Sequence, residues 1–154
     1  MNQVHQLVVF TLDEQRYAVP LSTVERIVRL VEITSVPHTP EIVLGVINVQ
    51  GRILPVVNIR RRFRLPAREL HPSDHLLIAR TSKRMVALVV DAVSEVVTLL
   101  AQQIVIREKF LAHSGYIAGV VKRPDGLILI HDLDEFLSLE EEQALQDAID
   151  SKTP

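Results

Sequence analysis

Cysteine is missing from all 154 residues. Its absence excludes disulfide staples, thiolate metal sites and cysteine nucleophiles, and it fits a reduced compartment. Aromatic residues make up only 4% of the chain, so Val, Ile and Leu must build the core. β-branched side chains are stiff at χ1 and pack well on a pleated surface, which favours strands. No run approaches the roughly 20 apolar residues that a membrane-spanning helix needs. The start, MNQVHQLVVF, lacks the basic region and the apolar length of a secretory signal. A soluble cytoplasmic protein is the expectation. The apolar content of 47% is too high for a disordered chain, and the length fits one domain or two small subdomains sharing a core.

The motifs of several chemistries are also missing. The glycines of GVINVQG do not form a dinucleotide or phosphate loop, and their turn opens into another strand rather than a helix. Six histidines, His5, His38, His71, His75, His113 and His131, are scattered; His71 and His75 are four apart, but Pro72 argues against a helix face there, and all read as surface or loop imidazoles. Asp132 and Asp134 are better placed to favour a helix start than to form a catalytic carboxylate pair. Ser114-Gly115 lacks the elbow of a serine hydrolase. No catalysis, cofactor or metal is expected.

What remains is a succession of short apolar runs. Leu7 to Leu12 and Tyr17 to Val19 read as a hairpin around Asp13 to Arg16. Ser22 and Glu25 fit a capping box for a short helical turn, and Arg26 to Leu30 reads as a strand. Glu41 to Val49 and Arg52 to Ile59 form the clearest hairpin, around Gln50-Gly51. Pro55 cannot donate to a ladder, which predicts an edge strand or a bulge. Further strands are expected at His75 to Arg80, Arg84 to Val90, Val93 to Leu100, Tyr116 to Val121 and Leu127 to His131. Ser138 and Glu141 fit a second capping box ahead of a terminal helix with an apolar stripe of Leu139, Ala144, Leu145, Ala148 and Ile149.

The order of these runs repeats. A hairpin with arginine after its turn (Arg16, Arg84) is followed by a V-x-x-[IV]-V strand, then a glycine-flanked hairpin, then a phenylalanine, Phe63 or Phe136. Two similar halves packed together bury more surface than one small barrel, so the expected architecture is mainly β, two pseudo-repeated barrels meeting at an apolar seam. The division is residues 1-137 for the barrels and 138-154 for an acidic helix and tail.

Charge is segregated. Arg52, Arg60, Arg61, Arg62, Arg64 and Arg68 fall in a segment without an acid, and Asp132 to Asp150 holds eight acids and no base. The stretch RRRFR allows an alternative reading, a small-barrel nucleic-acid binder using Arg60 to Arg64. Against it, the chain carries a net charge of -2, and the second repeat has Asp134-Glu135-Phe136 in the place of the arginines.

From Leu7 to Leu137 the sequence resembles the CheW-like domains of bacterial chemosensory arrays. The resemblance is carried by FTLDEQRYAVPLSTVERIV, PHTPEIVLGVINVQGRILPVVNIRRRF, MVALVVDAVSEVVTL and YIAGVVKRPDGLILIHDLDEFL. It implies two SH3-like five-stranded β-barrels around a shared hydrophobic core. It implies a non-catalytic adaptor that couples methyl-accepting chemotaxis receptors to a CheA-type histidine kinase, recruited to arrays at the inner face of the membrane. The receptor's helical hairpin tip would lie in a groove matching Leu21, Val24, Ile27, Gly45, Gln50, Ala87, Val93 and Val96. The kinase regulatory domain would meet Ile33, Val36, Arg107 and Phe110. Three residues depart from the family pattern: Gln50 for arginine, Asn58 for aspartate, and Arg26 where an acid is common. They suggest a diverged adaptor for a pathway controlling something other than flagella. Met1 and the acidic helix favour a stand-alone protein.

Overall fold

The computed structural model describes residues 4–106, 117–135 and 139–152. Six strands form one sheet: β1 (Val4–Leu12), β2 (Gln15–Pro20), β8 (Ala92–Leu100), β9 (Ile104–Ile106), β10 (Ile117–Arg123) and β11 (Gly126–His131), in the order β8-β1-β2-β11-β10-β9. Five form the other: β3 (Val24–Arg29), β4 (Val43–Val49), β5 (Arg52–Val57), β6 (His75–Arg80) and β7 (Met85–Val90), in the order β3-β6-β7-β5-β4. Two helices complete the described fold, α1 (Ile59–Arg62) and α2 (Leu139–Lys152).

The sequence repeat reappears as matching sheets, with an exchange. The β1–β2 hairpin of the first half pairs with β8 and β11 of the second. The β6–β7 hairpin of the second pairs with β3 and β5 of the first. Even the irregularities match. β3 bulges between Val24 and Arg26, β8 on pairing with β1 at Val9/Phe10, β4 between Val43 and Gly45, and β10 between Ile117 and Gly119.

Alternation sorts the core into three clusters. Leu7, Val9, Ala18, Val97, Leu99 and Ile128 fill the interior of the first sheet. Ile47, Leu54, Val56, Leu76, Ile78 and Ala87 fill that of the second. The opposite faces of the same strands, with Val8, Phe10, Leu12, Tyr17, Leu77, Ala79 and Leu88, meet in the shared seam. Each sheet thus wraps its own interior as an open barrel whose ladder does not close: β8 and β9 are edges of one, β3 and β4 of the other. α2 packs on the seam, with Leu145 fully buried among these residues. Arg62–Glu141 and Arg84–Glu142 ion pairs hold its first turn.

Local differences from the sequence reading have physical causes. The turn after Pro20 is a 3-10 turn, Leu21–Thr23, without a side-chain cap. Thr23 Oγ1 donates to the Pro20 carbonyl at 2.7 Å, and Glu25 pairs with Arg52 instead of completing a capping box. Pro55 lies on an interior strand, not an edge. It is tolerated because β5 bonds to β7 only from Val56 onward. β5 ends at Val57 rather than Ile59, because Asn58 caps α1 by accepting the Arg61 N–H at 3.4 Å. Asparagine and aspartate are equivalent caps, so this departure from the family pattern leaves the local structure intact. His131 is buried, not on the surface: it stacks on Phe63, ring centres 4.1 Å apart, and meets the Tyr17 ring at a tilt, 4.9 Å between centres. Ser138 and Phe136 lie outside the described residues.

Candidate partner-docking site

The residues expected to face a partner divide into three groups. Leu21, Val24 and Val93 are half-buried and rest on the shared seam. Ile27 and Val96 occupy the same position of the repeat, three residues after Val24 and Val93, and are 41% and 53% exposed. Both belong to edge strands, β3 and β8. The bulges at Glu25 and Ser94 fall between the seam-facing valine and the exposed residue on each strand; an extra residue there re-aims the side chains that follow. Ser94 Oγ stitches its bulge to the Val9 carbonyl at 3.2 Å.

Gln50 sits exposed at the tip of the β4–β5 hairpin. With φ values of +50° and +86°, Gln50 and Gly51 form the two-residue turn whose twist matches the strands. Arg52, the next residue, pairs with Glu25 at 2.7 Å and ties this turn to β3. The Arg52 hydrogen bond holds the Glu25 carboxyl below its ordinary range.

Two of the expected contacts are buried. Ala87 is 0% exposed, between Val56 and Ile78 inside the second sheet. Gly45 is buried too. A Cβ built there would lie 2.3 Å from the Thr34 carbonyl oxygen, so the space left by its missing side chain is filled by the chain's own Thr34, which bridges Val46. Among the kinase-facing candidates, Ile33 is half-buried against the second interior. Val36 is half-buried in the preceding loop, its carbonyl accepting from Thr39 Oγ1 at 3.1 Å. Arg107 and Phe110 lie outside the described residues.

The RRRFR stretch has another use. Arg60 is 8% exposed and grips Asp13 at 2.7 Å and Asp91 at 2.9 Å. Arg68 joins the same network through Asp91 at 2.6 Å and Asp74 at 2.8 Å. Arg61 pairs with Glu41, Arg62 with Glu141, and Phe63 lies in the aromatic stack. A nucleic-acid groove built on these side chains loses most of its charge and its stacking ring. Asp134, at the position of Arg61 in the second repeat when counted back from Phe63 and Phe136, accepts the Ser82 N–H on its Oδ1 at 2.6 Å, at the β6–β7 turn. No group of three or more metal-binding side chains converges among the described residues.

A model of the CheW-like domain matches residues 6–141. The chain belongs to the CheW-like family. A chemotaxis protein CheW of Rhizobium meliloti is 30% identical over 145 residues, covering 93% of this chain and 94% of its own. That of Thermotoga maritima is 32% identical over 131 residues, with 83% and 84% covered. The crystal structure of the scaffolding protein TtCheW from Thermoanaerobacter tengcongensis superimposes with a TM-score of 0.81 at 28% identity, covering 90% of this chain and 96% of that one. CheW-like proteins are non-catalytic scaffolds and adaptors of bacterial chemotaxis, and this CheW-like chain is a chemotaxis coupling adaptor. No helix among its described residues is long and apolar enough to cross a membrane.

Proposed function

We propose that the chain couples methyl-accepting chemotaxis receptors to a CheA-type histidine kinase, working in the cytoplasm beneath the receptor array. The observation that carries this reading is the pair of matching edge strands. Each presents one exposed large apolar side chain, Ile27 or Val96, beside a valine seated on the seam. Such paired apolar contacts suit the apolar stripe of a receptor's helical hairpin. Ile33 and Val36, with Arg107 and Phe110, would meet the kinase regulatory domain in a separate contact. Interfaces of this kind are individually weak and gain strength by repetition in an array.

Calorimetric titration with a receptor-tip fragment and with the kinase regulatory domain tests both contacts. Ile27→Asp and Val96→Asp, at exposed positions, should abolish tip binding and leave kinase-domain binding intact. Unchanged tip binding in both variants would remove the edge strands from the receptor contact.

A further inference from the structure

Residues 63–74 join the two halves of the repeat, between α1 and β6. This loop is tied down along its length. Near its start the Pro66 carbonyl accepts from Arg60 Nη1 at 3.3 Å. At its end the buried Asp74 closes a tight turn: its N–H donates to the His71 carbonyl at 2.9 Å, and its Oδ2 accepts the His71 N–H at 2.9 Å. Between them Arg68 Nη2 bridges two carboxylates, Asp74 at 2.8 Å and Asp91 at 2.6 Å.

Each end of that bridge leads to an edge strand. The Asp74 carbonyl accepts the Leu30 N–H at 3.1 Å. Leu30 directly follows β3, three residues after Ile27 and three before Ile33, so this bond anchors the chain midway between the two partner contacts proposed above. Asp91 directly precedes β8, two residues ahead of Val93. Its N–H donates to the Thr11 carbonyl at 3.0 Å, and its Oδ2 accepts the Asp13 N–H at 2.9 Å. Arg68 thus ties the exit of β3 to the entry of β8, two strands of different sheets.

The Arg68–Asp91 bond can open without stranding a buried charge. Asp91 keeps Arg60 at 2.9 Å and the Asp13 amide, and Arg68 keeps Asp74. Both side chains are partly exposed, 33% and 27%, and an ion pair in that setting is cheap to break. We propose that Arg68 is a positioning residue that couples the two partner contacts. With Arg68 clasped to Asp91, Leu30 and the start of β8 are held in the placement that both partners bind; with the clasp released, the two edges move independently. Occupation of either contact favours the clasped arrangement and so raises affinity at the other. This rests on the receptor and kinase contacts proposed above and adds how one is felt at the other. Arg68 itself belongs to neither contact.

The experiment is calorimetric titration of the receptor tip into wild-type protein, R68A, R68K and E69A, each with and without saturating kinase regulatory domain. In wild type the kinase domain should tighten tip binding by about fivefold or more. In R68A that factor should fall to about one, since the two edges are no longer joined. R68K keeps a cation between the two carboxylates and should retain an intermediate factor. E69A alters the same loop outside the bridge and should keep the wild-type factor. A wild-type factor in R68A, even with a lowered urea midpoint, would make Arg68 a matter of stability alone and overturn the proposal. So would a factor of about one in wild type that binds both partners, which leaves the two contacts standing. Failure of wild type to bind either partner would overturn the contacts and the coupling together.

Discussion

At the scale of the residue, Gly45 and Gly51 separate two reasons for glycine. Gly51 needs only its positive φ, since nothing lies within 4 Å of a Cβ built there. Gly51→Ala should therefore cost about 1 kcal/mol. Gly45→Ala adds a collision with the backbone of Thr34, and about 3 kcal/mol or more is expected from strain and overpacking together. Chemical denaturation of the two variants measures the difference. Asp91 makes a separate case. Burial pushes its carboxyl pKa up, but the Asp13 amide and the Arg60 and Arg68 guanidiniums outweigh burial and hold it below its ordinary 3.8. A carboxyl whose pKa is lower in the folded state contributes stability above the unfolded value and loses it as pH falls through the folded value. Asp91→Asn should thus cost about 2 kcal/mol near neutral pH, because Arg60 and Arg68 each lose a charged partner. That deficit should close below about pH 4. Urea midpoints of both proteins between pH 7 and pH 3 check it; a deficit constant with pH would show that the carboxylate charge is not what is lost.

At the scale of the element, α2 belongs to the core rather than trailing from it. Leu145 is fully buried in the seam, so Leu145→Ala should cost about 3 kcal/mol. Arg84 bonds Glu142 at 3.0 Å and Gln146 at 3.1 Å, one turn apart on the helix. Arg84→Ala should loosen α2 ahead of global unfolding, seen as faster amide exchange in residues 139–152 than in β1. This docking was not legible in the sequence, because an apolar stripe says which face is buried but not against what. The hairpins were legible, because Gln50-Gly51 and Pro124-Asp125 carry their own turn chemistry. β9 was missed because three residues, Ile104–Ile106, are too few to show alternation. α1 was missed because its single turn follows directly from an apolar strand. The burial of Ala87 and Gly45 was not legible for one reason: similarity to a family identifies positions, while burial is decided by neighbours on other strands.

At the scale of the whole molecule, the repeat was readable and its exchange was not, since pairing of β1 with β8 leaves no local mark. The exchange has a direct test. A cut after Pro72 yields two fragments, neither able to assemble a full sheet, because each sheet draws its opening hairpin from one half and its remaining partners from the other. Each fragment alone should lack a cooperative thermal transition by circular dichroism, and mixing them should restore it. A cooperative transition in either fragment would mean that one half carries a self-sufficient core.

The same crossing of partners bears on how the protein is made. β1 leaves the ribosome ahead of the other described strands, apolar on both faces, Leu7 and Val9 to one side and Val8, Phe10 and Leu12 to the other. β2 follows at once, but the outer neighbours, β8 and β11, come from the far half of the chain. At roughly 5–20 residues per second, translation leaves that first hairpin uncovered for several seconds. Through that interval it presents two bare ladders and two apolar faces, so the growing chain is open to edge-to-edge association that the finished fold closes off.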